Sequence, residues 1–353
     1  MSDNFLNNIL SSKVINSYNF ARLSHFVFSE TVTHKQFIDL NIDNKYIVYK
    51  NEYLITYKLD YVDLRENNII FTNTKYLNDL FYLLNKCSNL KNIKLITHQT
   101  DIPITKKKFS RKPYCVSKWF SINVDYLHEN LIPIPLGLAN DYSPKNLLSK
   151  DIIYSPIKDK KLQMYLNFNP NTNSKKRNKI YKNYQDSEIV YIDLPNESLK
   201  DYAMKLSKNA FILCPWGNGY DTHRFWETIY SGSVPITENH ITYNTAKDLP
   251  VIFVNDILKV SNNELENFIK SSKFQNYNFE KLNIDYWNKL IKLSNISSSE
   301  VQYVKFNKTI GKFFIFFHKV YDFAESKKKK IIYKFKFPLR AFKKLKYSLI
   351  NII

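Results

Sequence analysis

The chain of 353 residues has only three cysteines, Cys87, Cys115 and Cys214, and no two of them form a Cys-x-x-Cys pair. That scarcity excludes a disulfide framework and the common zinc and redox motifs, and it favours a reducing compartment. No window of about 20 uninterrupted apolar residues occurs, and the N-terminus lacks the basic and apolar regions of a signal peptide. We therefore expect a cytoplasmic protein that neither crosses a membrane nor enters a secretory route.

Arginine is also scarce: six of the 52 basic residues are Arg, so the formal net charge of +20 comes mostly from Lys. Residues 327–353 alone carry ten Lys or Arg and no Asp or Glu, which leaves +10 for the rest of the chain. A charge of this size is typical of nucleic-acid-binding proteins, but no DNA- or RNA-binding motif accompanies it. We therefore expect no nucleic-acid partner. Only residues 327–353, the C-terminal tail, stand out as a basic segment.

Apolar residues make up 44% of the chain and charged residues 24%, as in a folded protein long enough for two domains of roughly 150 residues. Apolar strands alternate with amphipathic helices in two series, which residues 139–161, rich in Asp, Ser, Pro and Lys, separate. The pattern predicts an α/β protein with two Rossmann-like parallel-sheet domains that face a cleft, residues 1–150 and 151–325. Residues 262–324 are predicted to be helical, and residues 326–353 form the basic tail.

Glycine is rare and unevenly placed: three of the five, Gly217, Gly219 and Gly232, fall within sixteen consecutive residues. The apolar run at 211–214 suits a buried strand, and the glycines after it permit a tight turn with backbone open to a ligand. A helix is predicted to follow, with Asp221 as its cap and Gly232 just beyond its end. Ligands bind at the carboxyl ends of parallel strands, where the N–H groups of a helix N-terminus attract phosphate. A purely structural turn is the alternative.

Charged side chains follow on one face of that helix. Arg224, Glu227 and Ser231 share this face by their spacing, while apolar residues cover the other. A cation in a first helical turn opposes the helix dipole by roughly 0.3–1 kcal/mol, so a phosphate group is the partner that best explains Arg224. Glu227, one turn further on, can accept hydrogen bonds from ribose hydroxyls. The alternative is a surface ion pair between Arg224 and Glu227.

Two common nucleotide-binding motifs are absent. The dinucleotide fingerprint Gly-x-Gly-x-x-Gly fails because Thr222 occupies the third glycine position, and no Gly-Lys-Ser/Thr of a P-loop occurs. We expect a nucleotide-binding site of a different kind, built from Gly217, Asn218, Gly219, Asp221, His223, Arg224 and Glu227.

Residues 209–237, NAFILCPWGNGYDTHRFWETIYSGSVPIT, resemble the donor-binding region of the exostosin-like glycosyltransferases, especially the group that includes ribitol xylosyltransferase. LITHQTD at 95–101 and LIPIPLGLAN at 131–140 also resemble landmarks of that group. The resemblance implies a GT-B fold, a nucleotide-sugar donor that is commonly a UDP-sugar, Arg224 on the pyrophosphate and Glu227 on the ribose. Trp216 departs from the pattern, since exostosins often have a basic residue there. Fucosyltransferases that use a GDP-sugar have a similar helix and GSVP-like element.

The function that follows is transfer of a sugar from a nucleotide diphosphate to a glycan or lipid-linked acceptor. No cofactor is expected. No metal is expected either, because the chain lacks the Asp-x-Asp pair with which metal-dependent sugar transferases hold Mn²⁺ or Mg²⁺. The alternatives are a basic nucleic-acid-binding protein and an inactive transferase-like scaffold or lectin.

Direct displacement at the anomeric carbon needs a base that takes the proton of the acceptor hydroxyl. His98 and Asp101 are the candidates, because they follow the apolar run at 93–97, where a strand is predicted to end. A loop histidine and a helix-capping aspartate are the alternative interpretation. Asp125 and Asp141 are further candidates.

The tail mixes Lys with Phe, Leu and Ile at roughly helical spacing from Lys327 to Ile353. Basic residues interleaved with apolar ones are typical of segments that lie on an anionic membrane surface. We therefore expect peripheral membrane association, with a disordered basic end as the alternative.

Overall fold

Two mainly parallel β-sheets carry this mixed α/β fold, the first within residues 26–133 and the second within residues 161–254. The computed structural model describes residues 6, 8–87, 89–193, 197–272, 276–292, 300–307, 310–313, 315–316 and 320. The chain divides into two compact units, residues 1–305, which hold both sheets, and residues 306–353. In the second unit residues 310–313 and 315–316 are helical. The predicted basic tail, residues 326–353, lies outside the described residues.

The elements up to residue 133 are strands β1 (Phe26–Val32), β2 (Ile47–Lys50), β3 (Ile55–Lys58), β4 (Tyr61–Leu64), β5 (Ile69–Asn73), β6 (Ile93–His98), β7 (Ile104–Thr105), β8 (Val116–Ser121), β9 (Val124–Asp125) and β10 (Leu131–Pro133), and helices α1 (Ser17–Arg22), α2 (His34–Asp39), α3 (Leu77–Leu84) and α4 (Lys106–Phe109). The first sheet has the order β10-β8-β6-β5-β1-β3-β2. The strands from β10 to β1 are parallel, whereas β3 pairs antiparallel with β1 and with β2. The prediction of a parallel sheet therefore holds except at one edge.

The later elements are strands β11 (Lys161–Leu166), β12 (Val190–Ile192), β13 (Asn209–Leu213), β14 (Val234–Glu238), β15 (Ile252–Val254) and β16 (Gln302–Lys305), and helices α5 (Ser174–Tyr184), α6 (Leu199–Lys208), α7 (His223–Tyr230), α8 (Asn262–Ser272) and α9 (Ile284–Lys292). The second sheet is wholly parallel, in the order β12-β11-β13-β14-β15. The strand order reverses between β11 and β13. In open α/β sheets a ligand crevice forms beyond the carboxyl ends of the strands at such a point.

Near each end of the first unit, a segment packs against the sheet that is further away in sequence. Leu6 and Ile9 belong to the core on one face of the second sheet, whereas Trp287 of α9 is buried in a core of the first. Strand β16 pairs antiparallel with β4, so the prediction that residues 262–324 are helical is wrong at 302–305. The domain boundaries at residues 150 and 325 stay predictions. Among the described residues no helix has the length and apolarity needed to span a membrane.

Candidate functional site

The glycine loop lies between β13 and α7, at the carboxyl edge of the second sheet. Gly232 follows α7 with φ of +78°, so it ends the helix in the left-handed conformation as predicted. Gly217 and Gly219 do not have positive φ, and close contacts explain them instead. A Cβ at residue 219 would lie 2.8 Å from Asn123 Oδ1, and one at residue 217 would lie 3.1 Å from Arg177 Nη2. The loop needs glycine because other side chains press against its backbone.

Asn123, which follows a strand of the first sheet, contacts the glycine loop. It follows β8 and is buried, and its Oδ1 accepts a hydrogen bond from the Asp221 N–H at 3.0 Å. Its Nδ2 donates to the carbonyl oxygen of Thr100, in the loop after β6. The loops at the carboxyl ends of the two sheets therefore meet at the glycine segment.

Asp221 is an internal cross-link between these loops. Its side chain is buried and accepts hydrogen bonds from the N–H groups of Leu136 and Thr222, both at 2.8 Å, and from Trp226 Nε1 at 2.9 Å. Burial raises the pKa of Asp221 to about 7, although these three donors lower it. The prediction that Asp221 caps α7 is wrong, because Thr222 occupies the N-cap position.

Two of the six arginines converge beyond β11 and β13, where the strand order reverses. Arg177 of α5 is buried and donates to the carbonyl oxygens of Trp216, Asn169 and Pro215 and to the hydroxyl of Thr172. These four acceptors carry no charge. Burial and the nearby charge of Arg224 lower the pKa of Arg177 to about 10. The Arg177 guanidinium has no carboxylate partner among the ion pairs of the described residues, so this crevice holds unbalanced positive charge.

Arg224 and Glu227 lie on α7 as predicted, and Tyr202 of α6 joins them. Arg224 Nη1 donates to the Tyr202 hydroxyl at 2.8 Å, and that hydroxyl donates to Glu227 Oε2 at 2.9 Å. Glu227 and Tyr202 are buried. The contact is a chain of three side chains, two buried and Arg224 half-buried, rather than the surface ion pair that was the alternative. Tyr202 fixes the rotamers of both charged groups at the mouth of the crevice.

His98 lies at the end of β6, but its ring is fully engaged. Nδ1 accepts the N–H of Gln99 at 2.8 Å, so the ring proton sits on Nε2, which donates to the carbonyl oxygen of Pro135 at 3.3 Å. Burial lowers the pKa of His98 to about 3. In this arrangement no ring nitrogen is available to take a proton from an acceptor.

The other candidate carboxylates are exposed. Asp101 lies in the loop after β6, one residue beyond Thr100, and Thr105 rather than Asp101 caps α4. Asp141 is exposed as well, with Gln36 Nε2 at 3.4 Å from its Oδ2. His223, the first residue of α7, donates from Nδ1 to the carbonyl oxygen of Gly137 at 2.8 Å, which leaves Nε2 as its acceptor nitrogen.

An aromatic cluster flanks the other side of the glycine loop. The rings of Tyr220 and His240 stack at 3.7 Å with an interplanar angle of 17°, and Trp216 meets both rings edge-on. Lys176 Nζ lies 4.0 Å from the centre of the Trp216 ring and pairs with Glu238. Exostosins often have a basic residue where this chain has Trp216, and here a basic side chain from α5 lies beside that tryptophan.

Sequence reasoning missed Arg177, Tyr202 and His240, because each reaches the site from an element outside the glycine segment. Arg177 had one available signal. In a chain where Lys is strongly favoured, each of the six arginines is a candidate for a role that Lys does not fill, such as planar recognition of phosphate. The described residues contain no group of three or more His, Cys, Asp or Glu side chains that could hold a metal ion.

A family model described as the RXYLT1 C-terminal domain matches residues 153–279, about a third of the chain. The matched range contains the whole second sheet, both arginines of the crevice, Tyr202 and Glu227. No curated protein matches the chain. The family match supports the xylosyltransferase or exostosin-like group and indicates a function of the glycosyltransferase type.

Proposed function

We propose that this chain is a GT-B glycosyltransferase that moves a sugar from a nucleotide diphosphate to a glycan or lipid-linked acceptor. The observation that carries the proposal is the pair Arg177 and Arg224 at the carboxyl edge of the second sheet. Arg177 is a buried cation without a carboxylate partner among the described ion pairs, and such a cation is costly, so the site fits a ligand with negative charge. A diphosphate supplies that charge, and guanidinium groups bind phosphate oxygens in a bidentate manner.

The proposal gives a role to each of the neighbouring groups. Arg224, held by Tyr202 at the first turn of α7, binds the pyrophosphate, and the helix N-terminus adds to its field. Glu227, one turn further along and oriented by the same hydroxyl, accepts the ribose hydroxyls. Arg177 holds the backbone of the loop through Trp216 and Pro215 and adds a second positive charge. Asn218 and His223 border the same crevice, and Asp221 supports it from inside.

Turnover is proposed to be independent of a divalent metal, because two guanidinium groups neutralise the leaving diphosphate. Uridine is the proposed base of the donor. This follows the resemblance of residues 209–237 to the donor-binding region of the exostosin-like glycosyltransferases.

The first test measures the binding of UDP, GDP, CDP and ADP to the full chain by thermal shift and calorimetry. Each nucleotide is measured both without and with EDTA. A ligand at 100 times its dissociation constant adds about 2.7 kcal/mol to the free energy of unfolding, which is a readily measured shift. We expect UDP to bind best and EDTA to leave its affinity unchanged. Failure of all four nucleotides to bind would contradict the proposal, and loss of binding in EDTA would contradict the metal-independent form.

The tail at 327–353 is proposed to hold the enzyme on an anionic membrane surface, since its ten basic residues each contribute about 1 kcal/mol near such a surface. Liposome co-sedimentation should show binding of the full chain to vesicles with phosphatidylserine. Raised salt should weaken it, and removal of residues 327–353 should abolish it. Equal binding to neutral vesicles would refute this part of the proposal.

A further inference from the structure

Asp125 lies in β9, which pairs with β7 in a separate two-stranded sheet, and side chains from the loops that follow β13 and β14 lie close to it. It ends β9, two residues after Asn123, whose amide touches the glycine loop. His240 Nε2 lies 3.4 Å from Asp125 Oδ1. Tyr220 is close to the same carboxylate, since burial and the nearby charge of Asp125 raise the pKa of Tyr220. The Asp125 side chain nevertheless keeps 37% of its surface exposed. It therefore contacts His240 and is still accessible to solvent.

The groups that hold Asp125 are themselves fixed. His240 Nδ1 accepts the N–H of Thr242 at 3.2 Å, which places the ring proton on Nε2, where it faces the carboxylate. Burial lowers the pKa of His240 and outweighs the opposite effect of Asp125, so the ring is a neutral donor. Tyr220 stacks on that ring and belongs to the loop segment that also carries Gly219. The carboxylate thus lies next to a ring stack that belongs to the loop assigned to the diphosphate.

We propose that Asp125 is the catalytic base of the transfer and that Tyr220 and His240 are its positioning residues, an inference that rests on the proposed function. Among the alternatives, His98 has both ring nitrogens engaged, and Asp101 has no hydrogen bond among the described contacts that orients its carboxylate. His223 is the rival, since its Nε2 can accept a proton. Asp125 is favoured over His223 because His240 and Tyr220, from the loops after β14 and β13, lie against its carboxylate while solvent still reaches it.

The reaction then runs as a single displacement. Asp125 takes the proton of the acceptor hydroxyl, and the hydroxyl oxygen forms a bond to the anomeric carbon of the donor sugar. The bond between that carbon and the diphosphate oxygen breaks, and its electron pair leaves with the nucleoside diphosphate beside Arg177 and Arg224. One attack from the face opposite the leaving group inverts the anomeric configuration.

The experiment uses water as the acceptor, so that it needs no knowledge of the natural one. Release of nucleoside diphosphate from UDP-xylose, UDP-glucose, UDP-N-acetylglucosamine and GDP-mannose is followed with the full chain and with Asp125→Asn, His223→Gln and Asp186→Asn. Asp125→Asn keeps the size of the side chain and an oxygen beside His240 Nε2, so it tests basicity rather than folding. Asp186 is an exposed control on the surface after α5.

We expect Asp125→Asn to lower kcat by about 100-fold or more, the usual contribution of a general base, with UDP affinity within twofold of wild type. Added formate should restore part of the activity of Asp125→Ala, and Tyr220→Phe should lower kcat without changing donor affinity. The anomer released should be inverted. Asp186→Asn should behave as wild type.

Four results would overturn the proposal while leaving nucleotide binding, and hence the proposed function, intact. They are wild-type turnover by Asp125→Asn, a loss confined to His223→Gln, retention of configuration, and binding of UDP without hydrolysis of any of the four donors. Failure of the chain to bind any nucleotide would instead remove the proposed function itself.

Discussion

Arg224→Ala is expected to weaken the binding of UDP by at least about 100-fold, and Arg224→Lys by about 10-fold. A hydrogen bond to a charged group contributes about 1.5–3 kcal/mol, and each 1.4 kcal/mol is a tenfold change in affinity. Alanine removes both bonds of a bidentate contact, whereas lysine keeps the charge but loses the planar geometry. Calorimetric titration of each variant with UDP measures the change directly.

Two controls separate this effect from damage to the fold. Arg65→Lys changes an exposed arginine outside the crevice and should leave UDP affinity unaltered. Arg224→Lys keeps a positive charge beside the buried Glu227, which stays hydrogen-bonded to Tyr202, so its free energy of unfolding should fall by no more than about 1 kcal/mol. If both Arg224 variants bind UDP as tightly as wild type, the diphosphate does not lie against this helix.

The local part of the site could be predicted from the sequence. Arg224 and Glu227 share a helix face by their spacing, and Gly232 ends that helix in the conformation that glycine favours. Such features depend on residues a few positions apart, which a pattern records. The role of Gly219 was different, because the contact that requires glycine there comes from Asn123, nearly a hundred residues earlier.

Strand β1, in the interior of the first sheet, shows the same limit in the fold. Its sequence, FVFSETV, places Ser29 and Glu30 in the interior, so it lacks the apolar run of a buried strand. Glu30 is tolerated because Arg22 pairs with it and the Tyr57 hydroxyl donates to it at 3.3 Å. Those partners lie on other elements, and only the folded chain brings them together. By contrast, β6 and β13 could be predicted, because each contains a continuous run of apolar residues.

Asp221→Asn is expected to lower the free energy of unfolding by about 2–4 kcal/mol. The carboxylate accepts hydrogen bonds from three donors, and an amide has only one oxygen. In either orientation of the amide, its NH₂ group faces at least one buried N–H donor, that of Leu136 or those of Thr222 and Trp226. A buried donor without an acceptor costs about 1–3 kcal/mol, and the opposed N–H groups add repulsion.

The loss should appear in urea unfolding of the full chain, with Asp101→Asn as the matched control because that carboxylate is exposed. The same measurement distinguishes two roles for Asp221. A residue that touches the donor would lower UDP affinity and leave the unfolding midpoint in place. If Asp221 is an internal cross-link, its replacement lowers the unfolding midpoint. UDP affinity then falls only to the extent that the glycine loop separates from the loop after β10. Unchanged stability together with lost UDP binding would therefore assign Asp221 to the ligand and refute the structural role.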